Sequence, residues 1–132
     1  MDILRHSGPS GQTAIAIGSF DGVHRGHQAM LAHVVEAARA RGISAASLTF
    51  EPLPREHFTP ATAPARLSSL AEKLAAIEAA GVDRAFVERF DARFASLTAR
   101  QFEERLALHC RARWVMVGED FRYGAGRKGD ND

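Results

Sequence analysis

The chain has 132 residues, 45% of them apolar and 25% charged, and its 17 basic and 16 acidic side chains leave a net charge of +1. That is one domain of ordinary globular composition, and charges spread without blocks exclude a nucleic-acid or anionic-lipid partner recognised by bulk charge. Cys110 is the only cysteine, which excludes a disulfide framework and a multi-cysteine zinc site and fits a reducing cytoplasm, while no window approaches the roughly 20 apolar residues of a membrane span and the N-terminus has no signal-like apolar run.

In chain order, residues 1–12 are polar, with Gly8, Pro9 and Gly11, and read as a loose lead-in that the fold does not require; residues 13–132 read as the domain. The run AIAIG, residues 14–18, is apolar on both parities, as a strand buried on both faces of a parallel sheet requires. From Gly26 to Arg41, Met30, Leu31, Val34, Val35 and Ala38 recur at helical spacing, and Gly42 stops the helix. A second strand, residues 44–50, is closed by Pro52 and Pro54, and an irregular segment runs to Pro64. Leu67, Leu70, Leu74 and Ile77 mark a helix that ends at Gly81, and residues 85–90 give a third strand. Thr98 reads as an N-cap, Phe102, Leu106 and Cys110 as the apolar face of the next helix, and residues 114–117 as a fourth strand before a Gly-rich tail.

Strands alternating with helices at this spacing predict an α/β fold: an open parallel sheet with helices on both faces, joined by right-handed crossovers. Such sheets bind ligands beyond the carboxyl ends of their strands. The segments after Gly18, after Phe50 and after Gly118 all follow predicted strands and are therefore the candidate functional segments.

The first of them, GSFDGVHRGH from Gly18 to His27, has the composition of an anion grip. Gly18, Gly22 and Gly26 let the backbone turn tightly and approach a ligand, while the following helix offers unpaired amides and the positive end of its dipole. His24 and His27, three residues apart at the helix start, can face one phosphate and donate hydrogen bonds to it. Asp21 is acidic where an anion is expected, so it is read as holding the loop or a metal-bound water. Two histidines without a third ligand do not make a zinc site, and no protein ligand set for a metal emerges. No Ser, Cys or Lys nucleophile is paired with a base, so phosphoryl or nucleotidyl transfer by positioned donors fits better than covalent catalysis.

The longer string FDGVHRGH, residues 20–27, is accompanied in order by TFEPLPREHF (49–58), APARL (63–67), EKL (72–74) and VGEDFRYGAGRKGD (117–130). On these residues the chain resembles the N-terminal FMN adenylyltransferase module of bacterial bifunctional riboflavin kinase/FMN adenylyltransferases, the FAD synthetases. The resemblance implies a Rossmann-like nucleotidyltransferase sheet and the reaction of FMN with ATP to FAD and pyrophosphate, with magnesium accompanying ATP. It implies that His24 and His27 bind ATP phosphates and that Gly18, Phe20 and Gly26 shape the pocket. Asp120, with Gly118 and Phe121, would lie near the nucleotide and the reacting phosphates. The segment beginning Phe50, with Pro52 and Pro54, would form a stiff wall on the flavin side.

Leu53 stands where this family often has His or Gln, and Asp120 where some members have Asn. The family continues into a Ser/Thr-rich stretch ending in Arg that closes the ATP site, and then a β-barrel riboflavin kinase domain; neither lies within these 132 residues, so the last strand or strands of the sheet are expected to be missing and the chain alone to turn over poorly. Two other readings share the grip: a different adenylyl- or cytidylyltransferase with another phosphorylated acceptor, and a module that holds nucleotide or flavin without turnover. His33, His57, His109 and Trp114 read as structural or solvated, and Cys110 as a small core hydrophobe. Oligomeric state is not encoded in any feature of the sequence.

Overall fold

The computed structural model describes residues 1–4, 11–18, 20, 25–51 and 69–118. Its strands are β1 (Asp2–Leu4), β2 (Thr13–Ile17), β3 (Ser44–Phe50), β4 (Arg84–Glu88) and β5 (Ala112–Val117). Its helices are α1 (Arg25–Arg41), α2 (Leu70–Ala79), α3 (Ala92–Ala95) and α4 (Ala99–Arg105), the last continued by one wider π turn, Leu106–Cys110. The strands form a single sheet in the order β1-β4-β3-β2-β5 with every pairing parallel.

Local chemistry explains where the elements start and stop. Helix α1 carries no carboxylate in its first turn, has Arg39 and Arg41 in its last, and ends at Gly42 in the left-handed region (φ 66°), a conformation glycine adopts without penalty. A reciprocal capping box between Ser69 and Glu72 opens α2, and Gly81 (φ 96°) follows it. Thr98 caps α4 through the same box with Gln101.

Strand alternation divides the core into two faces. On one, Ala14 and Ala16 of β2 and Ala45 of β3 admit α1 closely, and Leu31, Val34 and Ala38 pack on them with Ile77 of α2. On the other, Ile15, Ile17, Leu48, Phe50 and Phe86 are large and fill the space beneath the shorter α4 with Phe102, Leu106 and Cys110. Burying these faces on two helical layers is the main stabilising term, at about 25 cal/mol for each Å² of apolar surface removed from water.

Three expectations are corrected. The lead-in is not wholly loose, because Asp2–Leu4 forms the edge strand beside β4, with Ile3 opposite Ala85; three residues are too few to show a period, and only the partner strand orders them. The third strand stops at Glu88, and Phe90 turns inward to join an aromatic cluster. The last helix does not run as one α-helix to Cys110: it widens to a π turn and closes at Arg111 in the left-handed region (φ 51°). This turn aims the chain at β5, whose pairing with β2 shifts register between Thr13 and Ala14.

The chain steps from β2 to β3 to β4 in one direction and then returns to place β5 on the other side of β2. The crevice at the carboxyl ends of β2 and β5 is therefore the topological switch point of the sheet, where open α/β sheets bind ligands. Among the described residues β5 is an edge, with Val115 45% exposed.

Candidate functional site

The three candidate segments leave the sheet side by side, because β3, β2 and β5 are neighbours. Gly18 closes β2 by donating its N–H to the Leu48 carbonyl at 3.1 Å, and the Gly118 N–H donates to the Ile17 carbonyl at 3.0 Å. A Cβ built on Gly18 would lie 3.5 Å from the Phe20 ring and one on Gly118 3.7 Å from the Ile17 oxygen, both ordinary contact distances. The described residues thus do not demand glycine at either position.

Phe20 is held at φ 52° with its side chain fully buried. A bulky residue in the left-handed region is an outlier that costs on the order of 1–3 kcal/mol and persists only where its surroundings impose it. Here the ring lies under Gly18 and meets the His27 imidazole edge to face, with centroids 5.4 Å apart. Phe20 therefore packs beneath Gly18 and against the His27 ring. It orients His27, which sits half-buried in the first turn of α1, next to Gly26 in that same turn.

Phe50, expected on the flavin side, is fully buried and packs edge to face on Phe90 and Phe94, each with centroids 5.4 Å away. Its ring forms the floor from which the following segment departs. His24, Asp21, Pro52, Pro54, Asp120 and Phe121 lie outside the described residues. His33 and Trp114 stack with centroids 5.5 Å apart, with the Arg41 guanidinium 5.8 Å from the Trp114 ring, a packing role on α1 and β5. His109 is half-buried in the π turn, and Cys110 is buried in the core.

Two charged groups at this end of the sheet were given no role from sequence. Glu88, 3% exposed at the end of β4, accepts a forked pair of hydrogen bonds from Arg105, both at 3.1 Å from one guanidinium nitrogen, and the Glu88 carbonyl accepts the Glu51 N–H at 3.0 Å. Beside this pair lies a cleft of about 530 Å³ with Phe94 and Leu97 on its apolar side and Arg89, Arg93 and Arg105 among its polar groups. Lys73 of α2 is completely buried and donates to the Thr49 hydroxyl at 3.0 Å. Both were visible as exceptions in the pattern: Lys73 falls on the Leu70–Leu74–Ile77 stripe of its helix, and Glu88 continues an otherwise apolar strand.

No group of three His, Cys, Asp or Glu side chains able to hold a metal occurs among the described residues, and no helix among them is long and apolar enough to cross a membrane. The arrangement can bind an anion by helix amides, dipole and imidazole.

A solved chain described as a macrolide-efflux protein from Streptococcus pneumoniae has the same fold, with a TM-score of 0.75 and 25% identity over 96% of this chain and 43% of that one. The bifunctional riboflavin kinase/FMN adenylyltransferase of Escherichia coli K12 is 47% identical over 123 residues, which are 92% of this chain, and that of Pseudomonas fluorescens is 47% identical over 117 residues. A putative bifunctional riboflavin kinase/FMN adenylyltransferase of Geobacillus thermodenitrificans is 41% identical over 119 residues, 64% of its length. The chain spans 39% of the length of the Escherichia coli relative. The family model for FAD synthetase matches residues 7–132, nearly the whole sequence, and the chain belongs to that family.

Proposed function

We propose that this domain transfers the adenylyl group of ATP to FMN, giving FAD and pyrophosphate. The observation that carries the reading is the convergence at the β2–β5 switch point of Gly18, Gly118 and the first turn of α1 with His27, in a chain of the FAD synthetase family. An oxygen of the FMN phosphate attacks the α-phosphorus of ATP in line, forming one P–O bond as the bond from that phosphorus to the β-phosphate oxygen breaks. His27 and His24 donate hydrogen bonds to phosphate oxygens, and the α1 amides and dipole stabilise the charge that grows on them. Such donors act without forming a covalent enzyme intermediate.

Gly26 keeps the helix start open, and Phe20 locks the His27 ring from below. Asp120, Gly118 and Phe121 follow β5 and flank the nucleotide; Asp21 follows β2 and serves the grip loop or a metal-bound water. Pro52 and Pro54, leaving the Phe50 floor, form the wall beside the flavin ring.

Magnesium bound with ATP would neutralise charge on the leaving pyrophosphate. It needs only one or two protein carboxylates because waters and phosphates fill its other positions, so the lack of a three-carboxylate group among the described residues is compatible with it. Asp21 and Asp120 are the acidic candidates by sequence position.

Incubating the protein with magnesium, ATP and a panel of phosphorylated acceptors tests the reading. FAD and pyrophosphate are expected in equal amounts with FMN. Turnover of a different acceptor with none of FMN would end the flavin assignment, and tight nucleotide binding with no pyrophosphate from any acceptor would make this a binding module.

A further inference from the structure

At the amino ends of β2, β3 and β4 lies an open cleft of about 640 Å³, with Gln12, Arg39, Gly42, Ser44, Asp83 and Arg84 in its lining. It stands at the opposite end of the sheet from the grip, and none of its residues serves the proposed reaction. Two of its charges are engaged with each other: Arg39 donates to both oxygens of Asp83, which also accepts the Ala45 N–H. Arg84 is placed differently. It is half-buried and takes part in no hydrogen bond or ion pair among the described residues. Its guanidinium lies against Gly11, where an added Cβ would stand 3.6 Å from a terminal nitrogen. The Asp83 carboxyl is held below its ordinary value first by the hydrogen bond from Arg39 and last by the charge of Arg84, so Asp83 is not the partner that Arg84 lacks. A guanidinium taken partly out of water without a counterion needs an explanation.

The neighbouring groups point the same way. Ser44 shares a face of the sheet with Arg84, because Ala46, two residues further along β3, pairs with Arg84. The Ser44 hydroxyl and the side-chain nitrogen of Gln12 donate to nothing among the described residues, while the Gln12 oxygen accepts from Arg113 at 3.2 Å. The unspent groups of the cleft are therefore donors, set on the approaches to three adjacent strands, and its carboxylate is already engaged. A planar carboxylate offers two oxygens to such a set; a tetrahedral phosphate offers more, and the guanidinium fork matches its geometry. The fold adds positive potential: Arg41 lies in the last turn of α1, and Arg111 and Arg113 stand at the start of β5. These arginines form no block in the sequence, and it is the parallel direction of the strands that gathers them at one end. The negative pole of α1 also faces this end, but it acts only over the last turn, which Arg39 and Arg41 occupy.

We propose that this cleft is a second anion site, selective for the phosphate group of a small molecule, in which Arg84 supplies the forked donor and Ser44 and Gln12 complete the shell. The proposal is independent of the adenylyltransferase reading.

The test is an NMR titration of the intact protein with inorganic phosphate, pyrophosphate, glycerol 2-phosphate and acetate at constant ionic strength. The Arg84 Nε–H and the Gly42 and Ser44 amide resonances are expected to shift and saturate with the phosphates, and to bind acetate about tenfold more weakly. Arg84→Met should weaken phosphate binding at Gly42 and Ser44 about tenfold, Ser44→Ala about threefold, and His27→Asn not at all. The stronger ligand among the phosphates tells the free ion from a phosphorylated metabolite, and either upholds the site. Phosphate shifts confined to the first turn of α1 would overturn the proposal, as would equal binding by Arg84→Met and the parent or, should Arg84→Met not fold, by Ser44→Ala and the parent. Acetate binding as tightly as phosphate would overturn the selectivity. No turnover is needed, so a parent that makes no FAD ends the function reading and leaves this measurement decisive for the cleft.

Discussion

The two ends of the parallel sheet are built differently. At the amino end, protein groups satisfy one another: Arg39 donates to both oxygens of Asp83 at 2.9 and 3.3 Å, Asp83 accepts the Ala45 N–H at 2.9 Å, and the Thr13 hydroxyl donates to the Cys110 carbonyl at 2.9 Å. At the carboxyl end, β2 and β5 finish in bare glycines, α1 presents its amino terminus, and Phe20 holds a strained backbone under His27. The carboxyl end also holds internally satisfied pairs, Glu88 with Arg105 and Lys73 with Thr49, and it differs in setting the glycines that follow β2 and β5 beside the amino terminus of α1. Substitutions at the carboxyl end should therefore change chemistry with little change in stability, and those at the amino end the reverse.

The largest effect is expected from His27→Asn. It should lower kcat/KM for FAD formation by roughly 10²–10³-fold, about 3 kcal/mol of transition-state stabilisation, with a melting temperature near that of the parent. A melting temperature that falls with activity would place His27 in the fold rather than the chemistry.

Gly18→Ala comes next. Among the described residues the new methyl group meets only the Phe20 ring, at an ordinary distance, so stability should change by no more than about 1 kcal/mol. If a phosphate approaches this backbone, KM for ATP should nonetheless rise about tenfold, by crowding a ligand that packs against bare Cα. Unaltered kinetics would remove Gly18 from the site.

The smallest effect belongs to the amino end. Hydrogen bonding to Arg39 holds the Asp83 carboxyl below its ordinary value of 3.8, against the opposing effect of partial burial. A carboxyl whose folded-state pKa is depressed stabilises the fold above its unfolded value, and that contribution is lost as pH falls through the folded value. Asp83→Asn should therefore flatten the loss of stability below about pH 4, cost no more than about 1 kcal/mol at neutral pH because the pair is partly exposed, and leave FAD formation unchanged. Unchanged acid unfolding of the variant would show that other carboxylates dominate that limb.

Much of this division was legible in the residues. Gly42 and Gly81 marked helix ends because only glycine takes the left-handed turn freely, and Thr98 marked a helix start because its hydroxyl satisfies an open amide. The Gly18–His27 string was read as an anion grip from its glycine and histidine spacing, the role that the proposed reaction gives it. What was not legible depended on partners distant in sequence. Asp2–Leu4 is a strand only because β4 lies beside it, and Phe50 is a floor residue only because Phe90 and Phe94 close over it. Lys73 looked like one charged residue on a helix until β3 placed Thr49 opposite its ammonium.

The sequence by itself determined the alternation of strands and helices and the family resemblance, because each rests on residues close together along the chain. The tertiary structure decided the order of the strands. Only that order brings the ends of β3, β2 and β5 together at one switch point, since the return of the chain to the far side of β2 is a choice of packing between helices and sheet that no local pattern records.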